Sequence, residues 1–205
     1  GGDEFVILLE SVGADELEAR CHAERVADKI LAALREPFEV AGAIHHATCS
    51  IGITLCSGQE QQLDDLMRRG DLAMYEAKRQ GRNTVRLFHP SMELEVTHRT
   101  AVEAELREAL LRSQFVLHYQ GQVDGRGVLT GAEALVRWQH PQRGLVGPAG
   151  FIAIAETSGL IVPLGRWVLR TACQQLALWA DTAATAHLTL AVNVSVRQFL
   201  QPDFV

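Results

Sequence analysis

No apolar run in the 205-residue chain approaches the roughly 20 residues that a membrane-spanning helix needs. No signal peptide opens it. Nor does an initiator methionine: the first residues, Gly1-Gly2-Asp3-Glu4-Phe5, read as the interior of a motif. The chain is therefore expected to be a piece of a longer cytoplasmic protein, with any membrane anchor outside this segment. Long basic runs are missing too, and the formal net charge is -6, which argues against neutralising the phosphates of a nucleic-acid polymer. Cys21, Cys49, Cys56 and Cys173 form no CxxC pair, which speaks against a metal finger or a disulfide framework; they are expected as reduced core thiols. The histidines lack HExxH spacing, and the adjacent His45 and His46 would face opposite sides of a strand. What the chain does have is apolar content, 47%, enough for a substantial core in one or two domains.

Two polar features stand out against that background. The first is Asp3-Glu4, after a glycine pair and before Phe5-Val6-Ile7-Leu8-Leu9. It reads as a tight turn delivering two acids into a strand. Adjacent carboxylates there are a candidate hard-cation site, or else an ordinary acidic hairpin tip. The second is Glu133, in the apolar run Thr130 to Trp138. A buried lone carboxylate is costly unless it is paired or holds a metal. Glu133 therefore either binds a cation, pairs with Arg137, or points outward from a half-exposed strand.

In chain order, the periodicity predicts a helix from Asp15 to Leu34, with Asp15 and Glu18 as a capping-box-like start. A hairpin follows, Phe38-Glu39-Val40, a turn at Ala41-Gly42, and Ala43 to Leu55. Residues 57–62 read as a polar loop. A second helix runs Leu63 to Gln80, stopped by Gly81-Arg82-Asn83, and Thr84 to Phe88 is a strand. Lys78 and Arg82, four apart at that helix end, either complement the helix dipole or clamp phosphates.

Gly1-Gly2-Asp3-Glu4-Phe5, Ser50-Ile51-Gly52-Ile53, Asp71 to Lys78 and Gly81-Arg82-Asn83 occur in an order that resembles the second half of a GGDEF domain. That family makes cyclic di-GMP from two GTP molecules on an α+β nucleotide-cyclase-like fold. The resemblance implies that Asp3 and Glu4 act catalytically and bind metal at the reacting phosphate, while Lys78 and Arg82 hold the phosphates of GTP. It also implies that the family's earlier half, with a further metal-binding Asp and the guanine contacts, is not in this segment.

Residues 90–113 follow as an expected amphipathic linker helix carrying Leu94, Ala101, Val102, Leu106, Ala109 and Leu110. Pro90 marks its start, and Ser91 is a candidate cap. Beyond it lie strands at Phe115 to Gln120 and Val128 to Trp138, joined by an Asp124-Gly125-Arg126-Gly127 turn. A helix opened by Pro148, another from Gly165 to Ala180 and a strand from His187 to Ser195 complete the pattern. This alternation suggests a parallel α/β architecture.

Leu117-His118-Tyr119-Gln120, Gly131 to Trp138, Ala155-Glu156, Gly159-Leu160-Ile161, Leu164-Gly165 and Val192-Asn193-Val194-Ser195 together resemble an EAL domain. Those domains are modified TIM barrels that hydrolyse cyclic di-GMP to pGpG. One departure is Gly121, where the family usually has proline. A complete barrel takes about 250 residues, so the part after the linker is expected to hold only its beginning. The expected organisation is α/β throughout: residues 1–89 as the second half of GGDEF, 90–113 as linker and 114–205 as partial EAL barrel.

Phosphodiester hydrolysis at neutral pH needs an activated water and charge stabilisation at the phosphoryl oxygens, which metals held by carboxylates supply. The resemblance implies that Glu133 and Asn193 bind Mg²⁺ or Mn²⁺, that Gln120, Leu135 and Arg137 line the substrate site, and that further acidic ligands and a catalytic Lys lie beyond Val205. Three functions are compatible with it. The first is a cyclic di-GMP phosphodiesterase with a regulatory or active cyclase. The second is a bifunctional or cyclase-dominant enzyme, and the third a non-catalytic nucleotide receptor. Cyclic di-GMP, GTP and a second copy in a homodimer are the implied partners.

Overall fold

The computed structural model describes residues 3–56 and 62–204. The Gly1-Gly2 turn, residues 57–61 of the expected loop and Val205 lie outside the described residues. The chain divides into two compact units, residues 1–96 and 97–205.

The first unit is built on helix α1, Glu16–Arg35, and helix α2, Leu63–Arg79. Asp15 caps α1 by accepting a hydrogen bond from the Glu18 amide at 2.8 Å, and Glu18 reaches back to the Ala14 amide at 3.0 Å. The acids thus satisfy donors that a helix start leaves unpaired. Strands β1, Phe38–Val40, and β2, Ala43–His45, form a two-residue hairpin. Its turn residues Ala41 and Gly42 both have positive φ, 52° and 80°, matching the twist that such hairpins need. The stretch to Leu55 does not continue that hairpin. Instead β3, Ile51–Ile53, pairs in parallel with β4, Val85–Leu87, on the far side of α2 in sequence. Ala23 and Ala27 of α1 pack with Ile53, Ile51, Leu55, Val85 and Leu87. Gly52 admits α2: a Cβ there would lie 2.2 Å from the Gly70 carbonyl oxygen and 2.3 Å from the Met74 nitrogen.

Two further expectations fail. Phe5 to Leu9 is not a strand; it is irregular and exposed, Phe5 at 88% and Leu8 at 79%. A strand needs a hydrogen-bonding neighbour, and no described strand pairs with this run. The cysteines are not core residues either: Cys21, Cys56 and Cys173 are exposed and Cys49 is half-buried. In α1 the buried stripe is Ala23, Ala27 and Leu31, and Cys21 falls two residues off it.

Helix α3 spans Ser91–Leu111, and the division between the units falls within it, after Val96. Its buried residues are Val102, Leu106 and Ala109. Leu94 is exposed, as is Ala101, so the packed face is narrower than the apolar pattern suggests.

In the second unit, β5, Phe115–Val123, and β6, Leu129–His140, pair antiparallel along their length. This differs from an all-parallel expectation. The turn between them is too short for the crossover that parallel strands require. β7, Gly144–Val146, adds to the far end of β6, and β8, Thr189–Val192, pairs in parallel with Gly131 to Ala134 of β6. The crossover to β8 runs through α4, Ile152–Ser158, and α5, Ile161–Ala180. α4 ends on Gly159 at φ 85°, a left-handed cap that glycine adopts without strain. A short helix, α6, Val196–Phe199, follows β8. The core joins Leu106 of α3, Phe115 of β5, Trp138 of β6, Phe151, and Leu164 of α5. The rings of Phe115, Trp138 and Phe151 lie 5.7–5.9 Å apart. The Trp138 indole N–H donates to Gln114 Oε1 at 3.1 Å, so the buried ring loses no hydrogen bond.

Candidate active site

β6 carries two side-chain sets. Ala132, Ala134 and Trp138 are buried, and Val136 packs with the core. Glu133, Leu135 and Arg137 alternate with them and so occupy the other face, each half-buried. The carboxylate thus sits in an apolar run without entering the core.

Neighbouring strands add to that face. Gln120 of β5 is registered directly opposite Glu133, and residues opposite one another share a face. On the other edge Ala191 of β8 is registered with Glu133, and Asn193 follows two residues later, just past the strand end. Asn193 Nδ2 donates to Glu133 Oε1 at 2.6 Å. Gly131 makes the close pairing of β6 and β8 possible, since a Cβ there would lie 2.4 Å from Thr189 Oγ1 and 2.6 Å from the Thr189 carbonyl oxygen.

Glu133 does not pair with Arg137. The Arg137 guanidinium donates to the Val136 carbonyl at 2.9 Å, while Glu133 takes Asn193 as its partner. The hydrogen bond uses one carboxylate oxygen and the amide nitrogen. The second carboxylate oxygen and the Asn193 amide oxygen are hard donors of the type that Mg²⁺ and Mn²⁺ accept. Both residues are accessible from solvent. Behind the sheet, Tyr119 packs edge-on against Trp179 at 5.5 Å, and burial pushes its phenol above the ordinary value.

The structure thus sets Gln120, Glu133, Leu135 and Arg137 on one face of β5 and β6, with Asn193 beside them just past the end of β8. It does not do the same for the first unit. Asp3 and Glu4 are exposed on the irregular segment, and Lys78 and Arg82 are exposed at the end of α2. Arg82 has φ 59° and its amide closes the helix on the Ala77 carbonyl at 3.2 Å, which sets the backbone there. No cluster of three or more His, Cys, Asp or Glu residues suited to a metal exists among the described residues.

Sequence reasoning missed the groups that hold this site in place. Ser195 and Gln198 form a reciprocal capping box at α6, legible in hindsight from the Ser-x-x-Gln spacing. Arg143 and His140 both approach Glu105 of α3, at 2.5 Å and 3.4 Å, tying the β6–β7 hairpin to that helix. Such contacts between distant segments leave no local sequence signal.

Known proteins match both parts of this arrangement. Residues 103–205 match the EAL domain model, and residues 1–84 match that of the diguanylate cyclase, GGDEF domain. The chain belongs to the EAL family, with a GGDEF segment ahead of it. It is 42% identical over 198 residues to the cyclic di-GMP phosphodiesterase PdeR of Escherichia coli K12, covering 97% of this chain and 29% of that protein. It is 41% identical over 206 residues to the bifunctional diguanylate cyclase/cyclic di-GMP phosphodiesterase MucR of Pseudomonas aeruginosa, again over 29% of that protein. Among solved structures, the EAL enzyme Bd1971 in its cAMP and cyclic-di-GMP bound form is similar at a TM-score of 0.50 and 32% identity. That likeness covers 54% of this chain and 31% of that one.

Proposed function

We propose that this chain is part of a cytoplasmic, homodimeric protein that hydrolyses cyclic di-GMP to pGpG at the face of β6. The observation that carries this reading is the 2.6 Å hydrogen bond between Glu133 and Asn193, side chains sixty residues apart in sequence. It brings two oxygen ligands together where β8 ends against the middle of β6. In barrels of this kind, chemistry sits at strand ends.

Glu133 and Asn193 would hold Mg²⁺ or Mn²⁺. When bound, such an ion polarises a phosphoryl oxygen and acidifies a water at neutral pH. Arg137, two positions further from Glu133 than Leu135, offers a fixed positive charge to a phosphate. Its planar fork suits two oxygens at once. Leu135 offers an apolar contact, and Gln120, opposite Glu133, offers both a donor and an acceptor. The domain reading is residues 1–89 as the second half of GGDEF, 90–113 as a linker helix and 114–205 as the first part of EAL. In the first part, Asp3 and Glu4 hold the metal and the reacting phosphate, and Lys78 and Arg82 the phosphates of GTP.

Full-length protein carrying this chain is expected to convert cyclic di-GMP to pGpG with Mn²⁺ or Mg²⁺, followed by chromatography of the nucleotides. Glu133→Ala is expected to reduce turnover to background. Undiminished hydrolysis by that variant removes Glu133 from the chemistry.

A further inference from the structure

Gly159, Gly165 and Ser195 belong to the motifs singled out in the sequence, yet none has a part in the chemistry above. Their surroundings give them one. Gln198 is a buried polar residue, 5% exposed. Its amide N–H donates to Ser195 Oγ at 3.2 Å, and its Oε1 accepts from the Ser195 amide at 3.2 Å. Its side-chain end lies against α5 at Gly165, which is itself buried. A Cβ on Gly165 would come within 1.6 Å of Gln198 Nε2 and 2.3 Å of its Cδ. A second tie stands beside the first. Arg197 donates to the carbonyls of Glu156 and, at 3.3 Å, Thr157, acceptors in the last turn of α4. A Cβ on Gly159 would lie 3.2 Å from Arg197 Nη2.

Consecutive residues of α6 are therefore seated in places that two glycines leave open at the α4–α5 corner. Only Asn193 and Val194 separate the end of β8 from Ser195. With the strand fixed on one side and the cap on the other, the turn has one exit direction, and that direction presents the Asn193 amide to Glu133.

We infer that Gln198 is a positioning residue for Asn193, acting through the Ser195 cap and through a slot that requires glycine at position 165. The inference rests on the reading of Glu133 and Asn193 as metal-holding. Metal ligands depend on the groups that orient them, and loss of such a group weakens binding about 10- to 100-fold.

The test is Mn²⁺ titration of metal-free full-length protein, taking the binding component that Glu133→Ala removes, alongside thermal unfolding of each variant. Gln198→Met fills the slot but cannot accept from the Ser195 amide; Gln198→Glu keeps that acceptor. Gln198→Met and Gly165→Ala are expected to weaken Mn²⁺ binding about 10- to 100-fold, while Gln198→Glu stays close to the parent. Adding Gly165→Ala to Gln198→Ala is expected to cause no further loss, because the slot is already empty. Parent-like Mn²⁺ affinity in Gln198→Met with a lowered unfolding temperature would reduce Gln198 to a structural residue and overturn the inference. Parent-like affinity in Asn193→Ala would overturn the metal reading beneath it, and the inference with it.

Discussion

At the scale of the residue, Glu133 and Gly131 show how two choices on one strand govern one contact, the hydrogen bond from Asn193 to Glu133. Glu133 avoids the desolvation cost of a buried charge because β6 turns it to the face away from Trp138. Gly131 lets β8 approach close enough for Asn193 to reach it. Any side chain at position 131 meets Thr189 backbone, which no change of rotamer relieves. Gly131→Ala is accordingly expected to destabilise by about 1–3 kcal/mol, the usual cost of forcing extra atoms into a packed place. Urea unfolding measures this, and an unchanged midpoint would contradict the close approach. The contribution of glycine here is invisible in sequence, where Gly131 reads as a strand boundary.

Among the elements, the β5–β6 hairpin depends on one half-buried carboxylate. Asp124 Oδ1 accepts from the amides of Arg126 at 2.8 Å and Val128 at 3.0 Å, and its other oxygen faces the Arg126 guanidinium at 3.1 Å. The Val128 amide, then the Arg126 amide, hold this carboxyl below its ordinary range. A folded-state value lower than the unfolded one contributes stability that is full above the unfolded pKa, near 4. It is lost as the pH falls through the depressed value. The Arg126 and Val128 amide resonances are expected to titrate together below about pH 4, and Asp124→Asn to abolish that titration. Amides insensitive to pH in that range would count against the turn as described. The turn was legible from Asp-Gly-Arg-Gly. The antiparallel pairing that it enforces follows from its shortness, a constraint that the alternation of strands and helices conceals.

For the whole molecule, legibility was uneven for a physical reason. Helices α1 and α2 and the residues of β6 follow local rules of capping and period, and each was readable. β7 and α6 are too short for a period, and Phe5 to Leu9 has the composition of a strand without a described neighbour to pair with. In the second unit, the residues that the resemblance to EAL domains singles out fall on one face of β5 and β6 and just past the end of β8. In the first unit, Asp3, Glu4, Lys78 and Arg82, singled out in the same way, are exposed, and no cluster of three or more His, Cys, Asp or Glu suited to a metal forms among the described residues. The GGDEF reading is checked by supplying GTP. Full-length protein is expected to form cyclic di-GMP, measured in a Glu133→Ala background so that product accumulates, and Asp3→Ala is expected to stop it. Accumulation undiminished by Asp3→Ala would remove that acid from the reaction.

The two-faced construction of β6 has a consequence for how this family can vary over time. Point substitutions at Leu135 or Val136 leave that alternation in place. Deleting or inserting a single residue between Gly131 and Trp138 would instead swap the faces of every position on one side of the change; placed just before Glu133, it drives Glu133 and Arg137 toward the core and turns Trp138 to the other side. Length within this stretch is thus far less free to drift than identity, because one reading frame of alternation sets both the core-facing surface and the face that carries Glu133 and Arg137.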